Sequence, residues 1–150
     1  MAFPAGSIRI GSIGATVSNA GTAAVSFDTL DYDYADVIVY MSSTDAASNN
    51  PSVFKFTHGT TTVASNGTTI DSLEGDGSDG WTVPPMYTQD ADGHNVFKFG
   101  VDMRGKERHL GLIISPLTTH TVFSLCNLYR GPQVPDSSTD AQTIAFVEGA

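Results

Sequence analysis

The chain is 150 residues long, 40% hydrophobic and 15% charged, with a formal net charge of −9. That length supports a single domain, residues 1–150, around one core, and Thr, Ser, Gly and Ala make up the low charge, as in all-β chains rich in turns. Phosphate binding needs clustered Lys and Arg; only Arg9 is basic before Lys55, so no nucleic-acid partner is expected.

In chain order, "SIRIG" (7–11) sets Ile8 and Ile10 against Arg9, the period of two of a half-buried strand. "TAAVSFDTL" gives a second strand near 22–28. "ADVIVYM" gives a third, apolar on both faces (Val37, Val39 and Met41 against Ile38 and Tyr40), the pattern of a central strand. "SVFKFTH" alternates again, with Phe54 and Phe56 opposed by Lys55. In "TTTVASNGTTI" the pair Asn66-Gly67 lies between β-prone flanks, a strong hairpin signal. "NVFKFGVDM" and "RHLGLIIS" flank "RGKE" and read as a second hairpin. Its first strand carries Phe97, Phe99, Val101 and Met103 on one face with Lys98 and Asp102 opposite; its second aligns Leu110, Leu112 and Ile114. "HTVFSLCNLY" is a long strand and "TIAFVEG" a last short one. About eight or nine strands without an amphipathic helix predict an all-β fold, a single-domain antiparallel β-sandwich that is jelly-roll-like; a barrel is the structural alternative.

Three stretches read as irregular: 42–52, 74–94 and 131–142. Long loops in a small domain are usually functional or partner-bound. The prolines of 131–142 favour an extended path, so residues 131–150 read as an extended C-terminal arm with a final strand that reaches a sheet edge, its own or a neighbour's. The start "MAFPAGSIRIGSIGATV" lacks the pattern of a signal peptide, and no apolar stretch has membrane-spanning length. Synthesis in a cytoplasm, without a membrane partner, is the expectation.

Sites of chemistry are sparse. Cys126 is the only cysteine, so no intrachain disulfide forms; within "TVFSLCNLY" it reads as a small buried hydrophobe rather than a reactive thiol. The stretch around Asp71, Glu74, Asp76 and Asp79 has the look of a calcium loop but lacks the glutamate an EF-hand needs at its twelfth position; a solvated turn-rich loop is the simpler reading, and no metal or cofactor is expected. His58, His94, His109 and His120 fall in four separate segments without zinc-site spacing, and no serine sits in a G-x-S-x-G elbow. Two carboxylates facing one cleft would suit glycoside hydrolysis, yet Asp31, Asp33 and Asp36 stand out by density alone, so no enzyme is expected. Tyr32 and Tyr34 alternate with acids in "DYDY", which makes the tyrosines packing or interface residues and the acids a soluble edge that discourages stray pairing. Trp81 on its Gly/Pro loop is a sugar platform, an interface anchor, or a cap over one end of the sandwich. Arg104, Lys106 and Arg108 make a basic tip that could dock on an acidic surface, with a solvated turn as the default. Tyr87, Ile144 and Phe146 complete the interface candidates.

"SFDTLDYDYADVIVYM", "SNNPSVFKF", "LEGDGSDGWTVP" and "FKFGVDMRGKERHLGLIISP", in that order, resemble small virion-associated proteins of tailed, marine-type bacteriophages across residues 25–130. The resemblance implies a capsid decoration (cement) or minor head protein on the outer capsid surface, with the major capsid protein as partner and homo-oligomers, a trimer favoured. It carries no catalytic residue. The alternative is a receptor- or carbohydrate-binding module of a head or tail fibre, reading sugars through Trp81, Tyr87 and nearby acids.

Overall fold

Alternation with a period of two sends successive side chains to opposite faces of an extended chain, and among the described residues nine such stretches become strands. A computed structural model of the protein describes residues 7–18, 21–42, 50–62, 66–84, 95–129 and 145–149, with the backbone pairing alone for 7–15 and 145–149. The strands are β1 (Ser7–Val17), β2 (Ala23–Asp28), β3 (Tyr34–Met41), β4 (Val53–Gly59), β5 (Thr68–Glu74), β6 (Asn95–Asp102), β7 (His109–Ser115), β8 (His120–Tyr129) and β9 (Ala145–Gly149). They form two sheets, ordered β1-β8-β3-β6-β9 and β2-β7-β4-β5.

The antiparallel pairs β1–β8, β2–β7, β3–β6 and β4–β5 describe one long ribbon doubled back at the β4–β5 connection. Rolling the ribbon brings β3 beside β8 and β4 beside β7. The product is a β-sandwich, free of helix among the described residues.

Between the sheets lie the inward rows of each strand. Phe54 of β4 meets Phe97 and Phe99 of β6 with ring centroids 5.0 and 5.3 Å apart, and Phe56 meets Phe99 at 4.8 Å. Edge-on and tilted ring pairs add about 0.5–1.5 kcal/mol each beyond the burial of their area. Val37, Val39 and Met41 of β3, Leu110, Leu112 and Ile114 of β7, and Leu128 of β8 close the core. Cys126 is fully buried and free of a disulfide on β8, as its apolar surroundings imply.

Several expectations change. "RGKE" is not the turn of a hairpin: β6 pairs with β3 and β9, β7 with β2 and β4, so the connection passes from one sheet to the other. Each of these strands buries its own apolar row in the core, one from each sheet. The β4–β5 hairpin exists, but the strands end at Gly59 and resume at Thr68, so Asn66-Gly67 closes a long loop instead of forming a two-residue turn. A Cβ on Gly67 would stand 2.8 Å from the His58 carbonyl oxygen, so this glycine permits a close backbone approach. The antiparallel expectation holds for β1–β8 only: β9 lies parallel to β6 on the chain's own sheet edge. Parallel neighbours need a connection of about a dozen residues or more, and residues 103–144, which include β7 and β8, separate β6 from β9. β3 is the central strand of its sheet, as its pattern suggests, with its second apolar face on the outside of the sandwich, where Tyr40 is 39% exposed.

Candidate interaction surfaces and clefts

The four acids of "FDTLDYDYAD" have four separate fates. Asp28 ends β2 and meets Arg108 in a two-point ion pair: Nε donates to Oδ1 at 2.9 Å and Nη2 to Oδ2 at 2.6 Å. Its Oδ1 also accepts the Leu30 backbone N–H at 3.1 Å. The Arg108 hydrogen bond, helped by that N–H, holds the Asp28 carboxyl well below the usual carboxylate range. Asp31 takes the left-handed backbone conformation (φ 70°) that turns the chain, which Asp tolerates better than most residues. Asp33 is bound through its backbone, its N–H donating to the Tyr129 carbonyl and its own carbonyl accepting the Met103 N–H.

Asp36 differs. It sits on the outward row of central β3, yet only 6% of it is exposed. Lys98 of the neighbouring β6 donates to Oδ2 at 2.9 Å, with its side chain 13% exposed. Burial pushes the Asp36 carboxyl up, against the lowering pull of Lys98. Oδ1 has no hydrogen-bond partner among the described residues. Asp36 is therefore a buried half of an ion pair, and the expectation that it helps keep an edge soluble is corrected.

The outward rows of β3, β6 and β8 align across the sheet. Tyr40 lies between Val96 and Phe123, Ile38 between Lys98 and Leu125, Asp36 between Gly100 and Asn127, and Tyr34 between Asp102 and Tyr129. At the last row Arg104 pairs with Asp102 at 2.6 Å and lies over the Tyr34 ring, 4.9 Å from its centroid. The Arg104 hydrogen bond lowers the Asp102 pKa, and burial raises that of Tyr129. This outer face is thus mostly aliphatic and aromatic, and its charges are paired with each other. The outer face of the other sheet is small and polar at the equivalent positions, with Ser26, Gly111, Thr57 and Thr69 in one row.

Of the basic tip, Arg104 and Arg108 are tied to Asp102 and Asp28, and Lys106 lines an open cleft of about 500 Å³ with His58, Asp71, Ser72 and Asp79. His58 there is already engaged, its Nδ1 accepting the Glu107 backbone N–H at 3.3 Å. A second cleft of about 300 Å³ lies against β4 and β7, with Lys55, Glu74, Ser52, Ser115 and Ile113 in its wall. His120 is 1% exposed; its Nδ1 donates to the Ser42 carbonyl at 2.6 Å, and Nε2 accepts from the Thr118 hydroxyl at 3.2 Å, a tie between the end of β3 and the start of β8.

The "EGDGSDGW" loop is built by turn chemistry. The Trp81 N–H reaches back to the Glu74 carbonyl, the Asp76 N–H to the Trp81 carbonyl, and Asp76 Oδ1 accepts the Val83 N–H at 3.1 Å. Gly80 crosses so close that a Cβ would stand 1.7 Å from the Glu74 carbonyl oxygen. The loop thereby seats Trp81 on the core, edge-on to Phe54 and Phe99 at 5.3 and 5.2 Å. Among the described residues no cluster of three or more metal-ligating side chains forms.

Among the sequence-derived interface residues, Tyr34 and Arg104 meet on the outer face, Arg108 stands apart with Asp28, and Tyr32 and Trp81 are packed against the core. Phe146 is in register with Lys98 on β9. Tyr87, Ile144, His94 and the 131–142 segment lie outside the described residues. The Asp36–Lys98 pair and the outer face around it were not singled out from sequence. The usable signal was a lone charge within each of two apolar strands, "ADVIV" and "FKF", each of which needs a partner once buried. No family model matches the chain, and comparison with curated proteins and with solved structures finds no match.

Proposed function

We propose that the chain is a structural subunit of a tailed-phage virion, a decoration or cement protein that binds the major capsid protein on the outer head surface and acts as a homo-oligomer. The observation that carries this is the outer face of the five-stranded sheet: a broad apolar surface with internally paired charges, on a chain whose net charge is −9. Single exposed apolar residues are ordinary, but a contiguous patch of them marks an assembly surface. The order of the virion-like segments supports the same view. So does the strand order β1-β8-β3-β6 over β2-β7-β4-β5, an order compatible with a jelly roll.

Glycan binding through Trp81 has less support, because its ring is engaged with Phe54, Phe97 and Phe99 rather than free to stack on a sugar. The test is co-sedimentation of the purified protein with tailed-phage heads stripped of decoration, followed by imaging of the particle. Saturable binding in a fixed ratio to the shell subunit is expected. Failure to bind any such shell overturns the proposal.

A further inference from the structure

We infer that the outer face of the β3, β6 and β8 strands is a self-association surface, on which two copies of this chain stack sheet to sheet about a two-fold axis. The inference rests on the chemistry of the face and does not need the virion assignment.

An outward sheet face bathed in water usually alternates to polar residues. Here its described positions include Tyr34, Ile38, Tyr40, Val96, Phe123 and Leu125, all at least partly accessible. The row Val96–Tyr40–Phe123 crosses all three strands without a charge. By contrast, the outer row Ser26–Gly111–Thr57–Thr69 of the second sheet is made of small and hydroxyl-bearing residues. The two outer rows thus differ in character, aromatic and aliphatic on one sheet and small on the other.

Charge selects the occupant. Two copies each carrying −9 repel almost everywhere, and Asp31, Asp33, Asp71, Asp76 and Asp79 are all exposed. On this face the described charges cancel in pairs, Lys98 with Asp36 and Arg104 with Asp102. A second copy can approach here without setting like charges against each other, and an isologous contact presents the same patch from both sides. A strongly cationic partner would find no net charge to meet.

Area sets the strength. Three strands about 4.8 Å apart and about seven residues of about 3.4 Å rise give the β3–β6–β8 face roughly 14 by 24 Å. That is on the order of 350 Å² in projection, well below the roughly 800 Å² per partner of a standard stable interface. A reversible dimer with a dissociation constant in the micromolar range is the consequence. Added salt strengthens it, because screening relieves the repulsion between two acidic copies while the apolar contact is unaffected.

Sedimentation equilibrium of the full chain, from about 1 µM to several hundred micromolar, brackets such an affinity. The wild type is expected to pass from monomer to dimer mass, at lower concentration when salt is raised. Tyr40→Glu, at a 39% exposed position that tolerates a carboxylate in the monomer, is expected to weaken the dimer at least tenfold. Thr68→Glu, at an exposed position on edge strand β5 of the other sheet, is expected to leave it unchanged and serves as the control. A wild type that stays monomeric at the highest concentration overturns the inference. So does a three-copy mass, which a two-fold face cannot produce, or a Tyr40→Glu chain that is folded by circular dichroism and dimerises like the wild type. Shell binding is read in the separate co-sedimentation assay, so failure of the self-association surface and failure of the virion assignment are distinguishable.

Discussion

Replacing Lys98 with Met keeps the length and most of the volume of the side chain while removing the cation paired with Asp36. Asp36 and Lys98 side chains are 7% and 13% exposed and 2.9 Å apart, so the carboxylate left behind is buried and uncompensated. Breaking a buried pair in this way costs about 3–5 kcal/mol. The lower end applies, about 3 kcal/mol, because the pair lies on the outer face of a sheet rather than between sheets. The loss has a pH signature. Burial already raises the Asp36 pKa in the folded protein above its unfolded value, and removing Lys98 raises it further. A raised carboxylate favours the folded state when protonated, so its stabilising effect is complete below the unfolded pKa and is lost as pH rises through the folded one. Urea unfolding of Lys98→Met at dilute, monomeric concentration should therefore show a small deficit near pH 4 that grows toward neutrality, with the slope m unchanged. The double variant Asp36→Leu/Lys98→Met should recover most of the loss, since replacing both halves of a buried pair by apolar groups is often near neutral. A deficit that is the same at every pH, or a single variant as stable as wild type at neutral pH, would refute the assignment of Asp36 and Lys98 as a buried pair.

Three further outcomes are expected. Gly80→Ala forces a Cβ into the Glu74 carbonyl and should cost about 2–3 kcal/mol of strain relieved by loop displacement; because Trp81 is the only tryptophan, its native emission should shift to the red, and an unchanged spectrum would contradict the seating of that ring. Gly105→Ala has open space around it but a φ of +79°, so a loss of about 1 kcal/mol with no change in Trp81 emission is expected in thermal unfolding. Cys126, fully buried on β8, should react with a thiol reagent only as fast as the chain unfolds; rapid labelling of the native protein would place it elsewhere.

Where local pattern suffices, sequence and structure agree. The rows Phe54/Phe56, Phe97/Phe99/Val101 and Leu110/Leu112/Ile114 face inward as their spacing requires. Turn signals were less informative, since "RGKE" fits a tight turn whether the flanking strands pair or cross to opposite sheets. The acidic loop before Trp81 offered the residue types of a cation site; the structure uses Asp76 to hold the Val83 N–H and the glycines to fold the chain back beneath the ring. Asp28 with Arg108 and Asp36 with Lys98 join residues far apart in the chain, and nothing in either local segment names the other.

What the residues determine by themselves is therefore one-dimensional: a period of two, a strand content and an apolar row per strand, all set by the geometry of a single extended chain. Pairing, sheet membership, the parallel placement of β9 and the cancellation of charge on the outer face are decided only when distant strands compete to cover one another's apolar rows. That competition keeps β3 the central strand its pattern suggested, yet leaves its second apolar face on the exterior of the sandwich.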